Sequence, residues 1–209
     1  MPESLEMLRW ILIALAALAV AAIVTQIAIP AYVESRIEAR LTENGGAADA
    51  SVSATPALRL AFRDGDSLEV DANGVDVPPS TDTHAFDRLD GFDDVDIRVE
   101  NSRAGPFALG SFELTRLGAG PYHLVTSSRT SGRRIADYAA GGIGGIGGAL
   151  LRYGAEQVPG ANREVPVRLD MRMESDDGAV RVVSGGGTIA GFPADPLAEL
   201  ITSFVAVQL

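Results

Sequence analysis

From Trp10 to Val33 the chain carries no charged side chain, and nearly every position is apolar. That is the pattern of a helix apolar all round, and roughly 20 such residues cross the hydrocarbon of a bilayer. A cleaved signal peptide is the competing reading, with an apolar core of about 7–15 residues and a small-x-small site in polar surroundings. Here the run is longer and its alanines lie inside it, so the pattern predicts a short tail over 1–9 and an uncleaved anchor over 10–33. Pro30 removes a backbone donor and is expected to kink or restart the helix. Beyond it Val33, Ile37 and Leu41 recur at helical spacing opposite Glu34, Arg36, Glu38 and Arg40. This predicts a juxtamembrane amphipathic helix over 34–46, closed by Asn44-Gly45-Gly46 and packing its apolar stripe on the soluble domain. Its polar face is not basic enough for a helix lying on lipid.

From Ser51 the apolar period changes to two. Leu58, Leu60 and Phe62 alternate with Arg59, Ala61 and Arg63; Asp64-Gly65-Asp66 turns; Leu68, Val70 and Ala72 alternate again, which predicts a hairpin. Apolar parity switches at Asn73-Gly74 into Val75 and Val77, and again at Gly110, between Phe107/Leu109 and Phe112/Leu114. A one-residue slip at a glycine predicts a β-bulge at each place. Phe86 and Leu89 at helical spacing allow a short helix, and Val95, Ile97 and Val99 a strand. Tyr122 and Leu124 begin another strand, and Val165 to Met173 with Val180 and Val182 form a hairpin around Asp176-Asp177-Gly178. About eight short strands with one apolar face predict an α+β fold: a curved, bulged antiparallel sheet wrapping one or two helices, in one domain over 47–209. The helical covers are residues 131–157 and 195–205.

In the first cover Ile135, Tyr138, Ile143, Ile146, Leu150 and Tyr153 fall on one helical stripe, interrupted by Gly141-Gly-Ile-Gly-Gly-Ile-Gly-Gly148. Each glycine costs a helix about 1 kcal/mol relative to alanine, so such a helix needs tertiary support. Two readings stand side by side: close packing or a loop, and a small-residue surface bordering an apolar ligand. In the second, those six residues are lipid-contacting candidates. Gly142-x-Gly144-x-x-Gly147 matches the dinucleotide fingerprint in letters only, because helix-like residues precede it where that motif needs a strand.

Charge and composition narrow the chemistry. A net charge of -11 argues against a nucleic-acid partner. Cysteine is absent, which excludes disulfides, thiol nucleophiles and thiolate metal sites. Asp87, Asp90, Asp93, Asp94 and Asp96 crowd together without EF-hand spacing and read as a solvated acidic loop. His84 and His123 are isolated from any metal-ligand or nucleophile motif. No cofactor, metal or catalytic residue is expected. A non-enzymatic chain is the reading, and a carboxylate hydrolase its minority rival. The anchor's charge asymmetry is weak; a lone N-terminal anchor ahead of a soluble domain favours an extracytoplasmic domain.

The helix Ile29-Pro-Ala-Tyr-Val-Glu-Ser-Arg-Ile-Glu-Ala-Arg-Leu41, followed by Pro56-Ala-Leu-Arg-Leu60, Asp64-Gly-Asp-Ser-Leu-Glu-Val70 and Gly74-Val-Asp-Val77, resembles the LmeA-like phospholipid-binding family of actinobacterial envelope proteins. The likeness covers roughly residues 28 to 125; the glycine-rich segment departs from it. The resemblance implies a membrane-associated, extracytoplasmic protein binding phospholipid or a glycolipid, with an architecture similar to tubular lipid-binding domains. It implies no catalytic residues. Basic residues flanking apolar segments, Arg59, Arg63, Arg133 and Arg134, are the head-group candidates. An envelope interaction domain without a lipid ligand is the alternative.

Overall fold

The computed structural model describes residues 2–77, 85–143, 160, 162–189 and 192–193. Helix α1 spans Pro2–Leu41 and runs through Pro30 without interruption. A proline forfeits one intrahelical hydrogen bond, but the turns beyond it are held from outside. Ile29 and Val33 pack against the core, and Ile37 and Leu41 are buried in it. The restart expected at Pro30 is therefore absent: anchor and amphipathic helix are one element, whose Val33/Ile37/Leu41 stripe packs on the domain as its spacing predicts.

The chain then forms β1 (Ala47–Ser53), the 3₁₀ helix η1 (Ala57–Phe62), β2 (Gly65–Asn73), β3 (Asp76–Val77) and the 3₁₀ helix η2 (Ala85–Arg88). Next come β4 (Phe92–Ala104), β5 (Phe107–Arg116), β6 (Tyr122–Thr130), α2 (Gly132–Ile143), β7 (Val165–Asp176), β8 (Ala179–Ile189) and β9 (Phe192–Pro193). Among the described residues these strands make one nine-stranded sheet, ordered β1-β2-β4-β5-β6-β7-β8-β9, with β3 beside β4. β1 and β9 lie at opposite ends of this order, so the sheet is unclosed. The class is α+β, as the pattern predicts.

Two expectations are corrected. The sheet is mixed rather than antiparallel, because β2 and β3 both pair with β4 in parallel. Parallel neighbours need a crossover, and its described part is η2, whose Phe86 sits fully buried with Leu89 just after it. Second, Leu58, Leu60 and Phe62 do not lie on a strand. They belong to η1, which buries Ala57 and Leu60 at three-residue spacing and exposes Leu58 and Phe62. The antiparallel partner of β2 is β1. Its inward residues Ala50 and Val52 are small, so its alternation is faint in the sequence.

The parity switches line up across the sheet. Buried residues pass from Leu68, Val70 and Ala72 to Val75 and Val77; from Ile97 and Val99 to Ala104 on β4; and from Leu109 to Phe112 on β5. Gly74 N–H donates to the Glu100 carbonyl at 3.0 Å. Asn101, with φ +47°, and Gly110 both fall between the pairs Glu100–Ser111 and Ser102–Leu109. The bulge expected at Gly110 is present. At Gly74 the chain instead leaves β2 and re-pairs with β4 as β3, keeping the same register. The switch in β4 has no glycine to announce it.

The registers define two ends of the sheet. Ser53, Gly65, Phe92, Arg116, Tyr122 and Ala179 lie at the near end; Asn73, Ala104, Thr130 and Val165 lie at the far end. Because α1 runs antiparallel to β1, its apolar half continues beyond the near end.

Candidate functional site

The junction between α1 and the sheet is built by three side chains at four- and eight-residue intervals, which share one helical face. Glu38 Oε1 accepts the Ala50 N–H at 3.1 Å, and Glu34 Oε1 accepts the Val52 N–H at 2.9 Å. These are outward-facing donors of an edge strand, and capping them closes that edge to other chains. Gln26 Nε2 donates to the Ala54 carbonyl at 2.7 Å while its Oε1 accepts the Ala57 N–H at 2.8 Å. The sequence pattern did not point to this latch. Its signal is a lone amide inside an apolar run, with Glu34 and Glu38 further along the same face.

At the near end Arg116 continues the inward parity of Phe112 and Leu114, placing a cation in the core register. Its guanidinium donates to Tyr122 Oη at 2.6 Å, to Asp90 Oδ1 at 3.3 Å, and to the carbonyls of Leu89, Asp90 and Phe92. Tyr122 Oη donates to Asp90 Oδ1 at 2.9 Å, and Ser175 Oγ donates to the other carboxylate oxygen. Phe86 stacks on Tyr122 with ring centroids 4.1 Å apart. Burial raises the pKa of the Tyr122 phenol well above its ordinary value; Arg116 opposes that shift and Asp90 adds to it. The group stays a neutral donor. This cluster ties β5, β6 and β7 to the loop before β4, and its groups bond one another except the buried Arg116 Nε, which has no hydrogen-bond partner among the described residues.

At the far end α2 lies against the β4–β5 turn. Arg134, Asp137 and Tyr138 meet Arg103, Pro106 and Phe107 around a shallow cleft of about 350 Å³. Tyr138 is half-buried, and burial raises its pKa. Of the six lipid-contacting candidates, Tyr138 lines this cleft, Ile135 is 43 % exposed on α2 and is not part of the lining, and Ile143 ends α2. Ile146, Leu150 and Tyr153 lie outside the described residues.

The four head-group candidates do not form one mouth. Arg59 lies within η1 and Arg63 caps its C-terminus at the near end, and Arg133 and Arg134 lie in the first turn of α2 at the far end. Arg59 is held by Asp64 at 2.6 Å and Asp66 at 2.5 Å. These bonds raise its pKa further, and the hydrogen bond from Arg59 holds the Asp64 carboxyl below its ordinary value. Arg134 pairs with Glu164 at 3.1 Å, and Arg133 with Asp137 at 3.7 Å. Arg63 is exposed, with no ion pair among the described residues. At the far-end cleft Arg134 is thus already engaged by a carboxylate, and both groups of the pair are partly exposed.

The remaining chemistry does not converge. Among the described residues no three acids or histidines gather as a metal-ligand group. Asp90 serves Arg116, Asp94 accepts the Gly118 N–H at 3.0 Å, and Asp96 pairs with Arg98. His123 pairs with Asp170 at 2.9 Å on the exposed face of β6–β7, and His84 lies outside the described residues. Gly142 sits within α2 rather than at the strand–helix junction that the fingerprint needs, and Gly144 and Gly147 lie outside the described residues. No family model, characterised protein or solved structure matches the chain.

Proposed function

We propose that this chain is a membrane-anchored, non-catalytic lipid-binding protein of the cell envelope, with its domain on the extracytoplasmic side. In this reading α1, long and apolar enough to span a bilayer, is a single-pass anchor, and phospholipid acyl chains run between α2 and the sheet. The likeness to the LmeA-like family and to tubular lipid-binding domains belongs to the same proposal.

The observation that supports it is the far-end cleft. Tyr138, singled out from the sequence as lipid-contacting, and Arg134, singled out for a head group, come together there over Pro106 and Phe107. An aromatic and apolar floor with a cation at the rim is what an amphiphile needs. Acyl chains gain about 0.8 kcal/mol per buried methylene, and the rim fixes the polar end.

The test is photo-crosslinking of the full chain in vesicles containing phospholipid with a diazirine on the acyl chain. Crosslinks on α2 and on the β4–β5 turn are expected, and Tyr138→Asp should remove them. Crosslinks absent from both would overturn the groove and favour an envelope interaction domain.

A further inference from the structure

We propose that η1 and the turn leading into it form a wedge embedded in the bilayer boundary, beside the point where α1 emerges and latched to the helix by Gln26. The inference rests on reading α1 as a membrane span, and it is independent of the cleft at α2.

A polar side chain among lipid tails must have its hydrogen bonds satisfied by protein. Gln26 lies in the charge-free run, and its two amide atoms are engaged by the backbone of Ala54 and Ala57. Those partners come from another segment, so that segment shares the depth of Gln26. The length of α1 fixes that depth. From Trp10 to Thr25 the helix covers about 24 Å at its ordinary rise, short of the roughly 30 Å hydrocarbon thickness. The exposed aromatics at the two ends, Trp10 and Tyr32, are about 33 Å apart on the same rise and are the residue types that sit at membrane interfaces. The boundary therefore falls near Tyr32, and Gln26 with its latched turn lies on the lipid side of it.

The surface of η1 fits that position. Leu58 is 55 % and Phe62 80 % exposed, on the element that packs against α1. In water such a pair is an unfavourable apolar patch; at the acyl boundary it is an anchor. The charges around it are balanced, Arg59 and Arg63 against Asp64 and Asp66, with Arg59 already bound to both acids. Insertion is therefore driven by apolar area rather than by attraction to anionic lipid. The wedge adds a second attachment beside the helix, which limits swinging of the domain about α1.

The chain has no cysteine, so single probes can be placed at will. The full chain is reconstituted in phosphatidylcholine vesicles with an environment-sensitive fluorophore on Leu58→Cys, Phe62→Cys, Leu18→Cys or Glu43→Cys. Probes at 58 and 62 should be quenched by lipid-borne doxyl groups, like the probe at 18, and shielded from aqueous iodide, unlike the probe at 43. Adding Gln26→Leu should raise iodide quenching at 62 at least twofold while leaving 18 unchanged. Iodide quenching at 58 and 62 equal to that at 43, with 18 still lipid-quenched, would overturn the wedge and leave the anchor standing. Loss of lipid quenching at 18 would overturn both.

Discussion

Arg116 occupies a strand position whose parity calls for an apolar side chain, and the near end is assembled around its guanidinium. Replacing it with methionine keeps volume but leaves the Asp90 carboxylate without its cation, held only by the Tyr122 and Ser175 hydroxyls, and removes the guanidinium donors from the loop carbonyls. The expected cost is about 3 kcal/mol, read as a lowered urea midpoint of the full chain in detergent micelles. Tyr122 makes a pH prediction. Its folded pKa is raised by burial from an ordinary value of 10.0. Stability from this proton is complete below that value and falls as pH rises past it, because the unfolded chain deprotonates first. Unfolding midpoints measured from about pH 8 to pH 11.5 should drop on the alkaline side, and Tyr122→Phe should flatten that limb. The sequence pattern did not single out Arg116, although the signal was there: a charge that continues the Phe112/Leu114 register. Its partner Asp90 carried no such signal, because five aspartates in that stretch look alike until the fold selects one.

At the scale of elements, the junction of α1 with β1 decides the edge of the sheet. Glu34→Ala with Glu38→Ala leaves the Ala50 and Val52 donors open to water. We expect a loss of about 1–3 kcal/mol, with faster hydrogen exchange at those two amides and little change in β6 or β7. The helix was legible because hydrophobicity over 10–33 and the Val33/Ile37/Leu41 spacing are both unambiguous. The bulge at Gly110 was legible because a parity switch coincided with glycine. Strand direction was not, because period-two alternation is the same in parallel and antiparallel pairs. Leu58, Leu60 and Phe62 misled for a related reason: three alternating apolar residues fit a strand, whereas the buried pair is Ala57 and Leu60. The hairpin around Asp176-Asp177-Gly178 was legible, and the structure adds its turn geometry at Asp177-Gly178. Both residues take positive φ, +53° and +80°, and a side chain at Gly178 would collide with Asp87 of η2.

At the scale of the molecule, these parts combine into one arrangement: an apolar helix continuing beyond one end of an unclosed sheet, and a small shallow cleft at the other. The candidate site was only half legible from the sequence. The helical stripe named Tyr138 and Ile135, but four basic residues chosen for flanking apolar segments turned out to lie at two ends of the sheet, because sequence proximity to an apolar run carries no information about which end it reaches. The central claim is that the domain holds lipid, and native mass spectrometry tests it most directly. The full chain is used, since Gln26, Val33 and Glu34 of α1 belong to the folded domain. After gentle release from detergent, one tightly retained phospholipid per chain is expected, identified by extraction and absent from Tyr138→Asp. Protein that stays free of stoichiometric lipid after incubation with phospholipid vesicles would contradict it.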